Sequence, residues 1–449
     1  MSETKKDKKA VITILGIAGG DDKAKKASYY LENMELNTHF EYFNTFPFLC
    51  DTFGHNYNYD IVAVFTQSAK QNNHKVIEKT DFKKENSRQI ALNSLQNGCE
   101  IDDTDYDKIF QKINEILNDE KYGEFIIDIT HGFRHLPILT MVAMMIANFK
   151  DTKKIKHIFF AKEIKAKEKY EIIDLKIYLD IANISFILTA FSDNYTISNH
   201  IKSAKFEKLL KALNSFSNDI MALNISNLQN SQEKLVSELD KIDNEAVKDQ
   251  AQNLKTKIQN LADFVNDKRS EILYKLALDL FDKNYLFLSL ASLFESTRSF
   301  MVELINDNNP GAIEKVRNFH KNQIKKKREK NPYFTGDLGY RVDDFCVRVF
   351  KFKLDKIATE DKYEAFLKFI NTKNNNEKIE LNNDEIDALI QTPLKVEKID
   401  KIAEFYADLD VKRNDLAHAN SSGKAFDDIK NEVKDFLEKY ENLVSCQNK

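Results

Sequence analysis

Residues 125–149 read FIIDITHGFRHLPILTMVAMMIANF. A β-branched apolar run from Phe125 passes through a polar cluster into a long apolar stretch. Alternation along a strand puts Ile126, Asp128 and Thr130 on one face and Ile127 and Ile129 on the other. Gly132 permits a turn, and Pro137 suits the first turn of a following helix, where an amide hydrogen would be unpaired anyway. Strand, turn and helix in that order point to an α/β sheet.

Working outward, residues 10 to 175 alternate short β-branched or aromatic runs with helical stretches, the pattern of an open, largely parallel sheet. Strands are expected at Val11 to Ile17, weakly near His39 to Phe43, and at Ile61 to Thr66, Phe125 to Thr130, Ile155 to Phe160 and Tyr170 to Leu175. Helices are expected at about 22–34, 85–96, 104–119 and 136–150. Ligands of such sheets sit beyond the carboxyl ends of the strands, where helix N-termini present free amides. Three loops therefore stand out: Gly16 to Gly20, Thr66 to Ser68, and Thr130 to His135.

From about 176 onward apolar residues recur at three- and four-residue intervals, so the second half reads as all-α. Leu286, Leu290, Leu293 and Phe294 form one face; Phe426, Ile429, Val433, Phe436 and Tyr440 form another. The segment from Asn214 to Asp267 reads as a helical hairpin or spacer. Looser segments are expected near 306–340 and 372–392.

Composition agrees with a folded, charged protein: 449 residues, 42% hydrophobic and 31% charged, with only 11 glycines and 5 prolines. Two domains are the natural expectation at this length. No apolar run is long enough to cross a bilayer, and MSETKKDKKAV enters a strand without a hydrophobic leader, so a cytoplasmic protein with no membrane partner is expected. Cys50, Cys99, Cys346 and Cys446 form no CxxC pair and read as reduced packing residues. With a net charge of -4, a polyanion must be met by a local patch, for which KNQIKKKREK (321–330) is a candidate.

At the end of the strand beginning at Phe125, free backbone amides, a helix dipole, Arg134 and the histidines converge, which suits an anion such as phosphate. A second reading has Asp128 and Thr130 merely capping the turn. A third is a metal site from Asp128, His131 and His135, which Pro137 disfavours because a helix starting after His131 breaks the HxxxH geometry. LGIAGG is no GxGxxG fingerprint; its glycines read as room for close backbone approach to a ligand.

DITHGFRH, residues 128–135, resembles the motif of the CRISPR-associated DxTHG family of type III CRISPR systems. The resemblance implies an α/β Rossmann-like CARF domain binding cyclic oligoadenylate as a dimer, followed by an all-α HEPN ribonuclease domain. On that basis 1–190 is expected to be the CARF-like domain, 191–280 a helical linker or insertion, and 281–449 the HEPN-like domain. It also implies that Thr130, His131, Gly132, Phe133 and Arg134 hold the activator, with Gly16, Ile17, Ala18, Gly19, Thr66, Gln67 and Ser68 from the other strand ends. Tetra-adenylate is favoured over hexa-adenylate as activator, and neither cofactor nor metal is expected.

A HEPN nuclease should carry Arg, four to six residues, then His. VKRNDLAHAN supplies Arg413 and His418, a spacing that is weak evidence alone but lies late in the helical half. Residues five apart on a helix are about 140° apart, so the pair fans across a ridge and suits a composite site between two copies. Such a pair suits metal-independent RNA cleavage, with histidine moving the proton and arginine binding the phosphate bidentately. Asn414 is expected to orient the imidazole, touch RNA or simply be solvated. Glu295 and Arg298 are expected to pack as a surface ion pair. The expected partners are single-stranded RNA, cyclic oligoadenylate and a second copy, as a homodimer or a higher multiple of dimers, with a functional link to a type III CRISPR effector complex without stable binding. Two alternatives stay open: a sensor whose nuclease domain is inactive, and a domain that also degrades its activator as a ring nuclease.

Overall fold

The apolar runs KKAVITI, YDIVAVF and YGEFIID are the three inner strands of an eight-stranded sheet, buried along most of their length on both faces. Continuous apolar sequence of this kind marks a parallel strand covered on both sides. In the computed structural model the residues described are 8–20, 24–31, 40–54, 59–102, 104–132, 135–197, 201, 203, 205–331, 338–352, 362–371, 379, 381–394, 399–418 and 423–445. They divide into two compact units, one of residues 1–214 with 241–251 and one of residues 215–240 with 252–449.

The first unit holds β1 (Lys8–Ile14), β2 (Ala27–Tyr30), β3 (Phe40–Tyr42), β4 (Tyr59–Phe65), β5 (Cys99–Glu100), β6 (Tyr122–Asp128), β7 (Ile155–Lys165) and β8 (Lys169–Asp174). Its helices are α1 (Thr45–Leu49), α2 (Gln67–Lys79), α3 (Ser87–Gln96), α4 (Tyr106–Asn118), α5 (His135–Lys150) and α6 (Lys176–Asn194). The strand order is β3-β2-β8-β7-β6-β1-β4-β5, antiparallel only at β2/β3 and β7/β8. β1 lies between β4 and β6, in register Thr13 with Asp128 and Ile14 with Val64. Strand order reverses there, so the loops after β1, β4 and β6 leave from one edge, at the switch point of the sheet.

The expected α/β then all-α order is what the chain adopts. Three local expectations need correction. Of the helix expected at 22–34, the described residues 24–31 carry β2 instead, because Tyr29 stacks on Tyr170 of β8 (ring centroids 5.2 Å) and strand pairing outweighs the helical propensity of the local sequence. The loose segment expected at 306–340 contains a full helix, since Pro310 is its first residue and Asn309 caps it. The loose segment at 372–392 contains the start of another helix at Asn383, while residues 372–378 lie outside those described.

The remaining helices are α7 (Glu207–Met221), α8 (Ile225–Leu239), α9 (Glu245–Leu261), α10 (Arg269–Asp282), α11 (Leu286–Asn308), α12 (Pro310–Lys330), α13 (Leu338–Lys351), α14 (Lys362–Asn371), α15 (Asn383–Leu394), α16 (Ile399–Ala417) and α17 (Phe426–Ser445). The α8–α9 hairpin is closed by Gln232, whose amide donates to Ile258 O and Ala262 O. α11 is the axis of the second unit, packing against α10, α13, α16 and α17. Ser289, Ser292 and Ser296 are small enough to bring α10 close, and their hydroxyls donate to Ala277 O, Leu273 O and Ser270 O at 2.7–2.8 Å. Among the described residues, no helix is long and apolar enough to cross a membrane.

Candidate functional site

Asp128, the last residue of β6, is buried, and its carboxylate is saturated. Oδ2 accepts from Thr13 Oγ1 (2.9 Å) and Thr45 Oγ1 (2.8 Å); Oδ1 accepts from Thr130 N (3.1 Å) and Thr130 Oγ1 (2.5 Å). Four donors on one carboxylate tie β1, β6 and the start of α1 together, as a buried charge requires. Thr130 Oγ1 also accepts from Ala161 N (2.9 Å), so its hydroxyl works inside the protein.

His131 follows half-buried, and its Nε2 accepts from Thr45 N at 3.3 Å. Burial pushes its pKa down, with the charge of Asp128 opposing, which matches a neutral ring serving as acceptor. Gly132 is exposed with φ +103, a conformation L side chains rarely adopt, and a Cβ there would lie 2.6 Å from Ile14 Cγ2. A Cβ on Gly16 would lie 3.0 Å from Gly132 N, so the loops after β1 and β6 touch backbone to backbone. Phe133 and Arg134 lie outside the described residues.

The loop after β1 is held by its carbonyls. Asn73 Nδ2 donates to Gly16 O (2.9 Å), while Asn44 Nδ2 and Asn72 Nδ2 donate to Ala18 O (2.9 and 3.1 Å). Asn44 also donates to Asn73 Oδ1 (3.0 Å), making one buried amide network under the loop. Ile17, at the tip, is 65% exposed, and Gly19 lies against Phe43. After β4, Thr66 caps α2 by accepting from Ala69 N (3.3 Å), with Ser68 Oγ 3.0 Å from its hydroxyl. Gln67 and Ser68 are exposed.

Gly16, Ala18, Thr130, His131 and Gly132 are thus bound into one strand-end framework, with the Thr66 loop leaving the neighbouring strand. Thr13, Thr45, Asn44, Asn72 and Asn73 were not anticipated. Asn73 left one signal: an asparagine inside α2 is a poor helix former, retained here because its amide holds Gly16. His135 is the first residue of α5 and packs edge-on against Tyr106 at 4.9 Å, while His131 precedes the helix. The two rings therefore do not form a helical HxxxH pair.

In the second unit Arg413 lies on α16, its guanidinium 4.1 Å from the ring centroid of Phe294 on α11. Its Nη2 donates to Asp410 Oδ1 and Asn414 Oδ1, both at 3.0 Å, and its buried Nε has no hydrogen-bond partner among the described residues. Asn414 therefore holds the arginine with its side chain, while its backbone carbonyl accepts from His418 N at 3.0 Å. His418 is exposed just past the end of α16. Arg298 is buried rather than at the surface: it meets Glu295 at 3.5 Å, donates to Tyr340 O at 3.2 Å and lies 4.5 Å from the Tyr340 ring. Asp410, three residues before Arg413 on the same helix, left the signal of an i,i+3 pair; Phe294 and Tyr340 left none for these contacts, because they reach the arginines only through helix packing.

Comparison with known proteins bears on the first unit. Residues 11–167 match the family described as CRISPR system endoribonuclease Csx1, CARF domain. The α/β unit carries a CARF domain. The CRISPR-associated family expected from DITHGFRH is thus found over the β1, β4 and β6 loops of that domain. No curated protein matches the chain. Among solved structures, Enterococcus italicus Csm6 bound to cyclic hexa-2'-fluoro-hexa-dAMP is similar over 96% of this chain and 99% of that one, at 12% identity and a TM-score of 0.29. That identity and score are too low to support an inference about this chain.

Proposed function

We propose that the CARF domain is the receptor for cyclic oligoadenylate and that the helical unit is a metal-independent single-stranded endoribonuclease of type III CRISPR defence, acting as a homodimer. The observation that carries this reading is the match of residues 11–167 to the CARF domain of a CRISPR endoribonuclease, in a chain that also carries Arg413 on α16 and His418 just past its end. The strand-end framework supports the receptor role. Its saturated polar groups make a rigid rim, and Gly16 and Gly132 let a ring of phosphodiesters approach backbone amides closely. Gln67 and Ser68 belong to the same proposed rim. An exposed apolar row on α5, formed by Ile138, Val142 and Ile146, supports a second copy as partner.

The chemistry follows from the residue types. The ribose 2'-oxygen attacks the adjacent phosphorus, its proton passing to a base, and the bond to the 5'-oxygen breaks as that oxygen takes a proton. The products are a 2',3'-cyclic phosphate and a 5'-hydroxyl. His418, exposed and unencumbered by secondary structure, suits the proton transfers. Arg413, braced by Asp410, Asn414 and Phe294, suits the developing phosphorane charge. Ring binding activates only if the active arrangement binds the ring more tightly than the inactive one.

The test is cleavage of labelled single-stranded RNA by the full chain with cyclic tri-, tetra- and hexa-adenylate, beside His418→Ala. Cleavage that needs a ring and is lost in the variant supports the reading. No cleavage with any ring, or equal cleavage by the variant, overturns it. Following the activator by chromatography in an Arg413→Ala, His418→Ala background reports on ring-nuclease activity.

A further inference from the structure

His418 stands just past α16, and the chain re-enters helix at Phe426, the first residue of α17. One carboxylate reaches both sides of that interval. Glu432 Oε2 on α17 pairs with Lys412 Nζ on α16 at 2.6 Å, and Glu432 Oε1 pairs with Lys424 Nζ, two residues before α17. Lys412 immediately precedes Arg413, its side chain is 11% exposed, and Asp415 Oδ2 also lies 3.5 Å from its ammonium. Lys412 and Lys424 each lie six residues from His418, one on either side. The Glu432 carboxyl is held below its usual range by Lys412 first and Lys424 next, and the Lys424 ammonium is held above its usual range by Glu432 first, with Asp415 and Asp428 adding to the attraction.

The pairing is anchored to the helix that carries the ring beside Arg413. α17 buries Ile429, Val433, Leu437 and Tyr440 in the core of the second unit, and the Tyr440 hydroxyl lies 2.7 Å from Ser296 Oγ on α11, two residues past Phe294. Lys430 on α17 also donates to Asn284 Oδ1, between α10 and α11, at 2.7 Å. Arg413 leans on α11 through Phe294, and both flanks of His418 are tied to the same helix through Glu432 and α17. Residues five apart on a helix point about 140° apart, so the helix alone does not direct Arg413 and His418 to one phosphate. The path of the chain beyond its last turn has to be set by something else.

We infer that Glu432 is a positioning residue for RNA cleavage: by holding Lys412 and Lys424 together it sets where the chain leaves α16, and so where His418 stands relative to Arg413, without itself touching the RNA. The inference rests on the ribonuclease reading and adds to it the group that fixes the proton-transfer residue. Partly exposed ion pairs contribute little to stability, whereas displacing a reacting group by about 1 Å costs on the order of a hundredfold in rate. The effect of the clasp therefore belongs in turnover and not in melting.

The experiment measures kcat and KM for cleavage of labelled single-stranded RNA by the full chain with cyclic tri-, tetra- and hexa-adenylate. Glu432→Gln keeps the side-chain length and loses the charge; it should lower kcat by roughly tenfold to a hundredfold, with KM and the circular-dichroism melting temperature unchanged. Lys424→Met, at an exposed position, should behave alike. Both act through one carboxylate, so the double variant should be no slower than the slower single one. Glu432→Asp, whose carboxylate the two long lysines can follow, should recover most of the rate. A parent-like kcat in Glu432→Gln and in Lys424→Met, a change confined to KM, multiplying losses in the double variant, or a lowered melting temperature in both single variants overturns the inference. If the parent cleaves and the variants give one of those results, the clasp alone falls. If the parent cleaves with none of the rings, the ribonuclease reading falls and the clasp with it.

Discussion

The strand-end framework of the CARF domain and the end of α16 solve opposite problems. At Asp128 each carboxylate oxygen accepts two hydrogen bonds, and the neighbouring asparagines spend their amides on Gly16 and Ala18. At α16 the arginine is braced on one side by Asp410, Asn414 and Phe294, while His418 stands in solvent just past the helix. A saturated network is rigid and costly to disturb, which suits a receptor whose shape must be ready before the ligand arrives. A half-braced pair is cheap in stability and incomplete by itself, which suits a site finished by a second chain or a substrate.

The contrast breaks most sharply at Arg413. Arg413→Ala should lower RNA cleavage by roughly 10³-fold, within the usual range for loss of a phosphate-stabilising donor, with an unchanged melting temperature by circular dichroism. Arg413→Lys should not rescue it, since an ammonium lacks the planar fork that stacks on Phe294. Equal activity of the lysine variant would remove the stacked geometry from the account. The reverse behaviour is expected at Asp128. Asp128→Ala strands the buried hydroxyls of Thr13 and Thr45 and should cost about 3 kcal/mol, seen as lower urea resistance of the CARF domain, while leaving the α16 chemistry intact once the chain is folded.

The parts legible in the sequence were those set by local pattern. The apolar strands and the FIIDITHG turn to α5 follow from period and from glycine and proline chemistry, and DITHGFRH named the domain that residues 11–167 carry. What stayed hidden depends on pairing at a distance. β2 forms because Tyr29 meets Tyr170, and no window around Tyr29 contains that information. Thr45 and Asn44 reach Asp128 and Ala18 only after α1 folds beneath the sheet edge. The segment near 306–340, expected to be loose, differed in the other direction, with Pro310 starting a helix. Phe294 lies more than a hundred residues before Arg413 and becomes its partner through the packing of α11 on α16.

A smaller effect is expected at Gly132. Gly132→Ala meets both the positive φ and the Ile14 methyl, and should destabilise by about 1–3 kcal/mol while weakening activator binding by calorimetry. An unchanged affinity would mean that the turn does not shape the receptor. The smallest effect concerns pH. His131 has its pKa lowered by burial from 6.5, so below that value the unfolded chain takes up a proton the folded chain resists. Its contribution to stability is therefore full above about pH 6.5 and declines as pH falls, by at most about 1.4 kcal/mol per pH unit. Urea midpoints at pH 7.5 and 5.5 should show this loss in the parent and a smaller one in His131→Gln; equal losses would contradict the neutral acceptor.

In the function proposed above, a ring bound by the CARF domain switches on cutting by Arg413 and His418. The direct measurement is cleavage of a single-stranded RNA by the full chain, in excess EDTA, with and without cyclic tetra-adenylate and its three- and six-membered relatives, reading both rate and end groups. Cleavage is expected only when a ring is present, with products ending in 2',3'-cyclic phosphate and no cleavage in His418→Ala. Ring-independent cleavage, cleavage abolished by EDTA, or a fully active His418→Ala would contradict it.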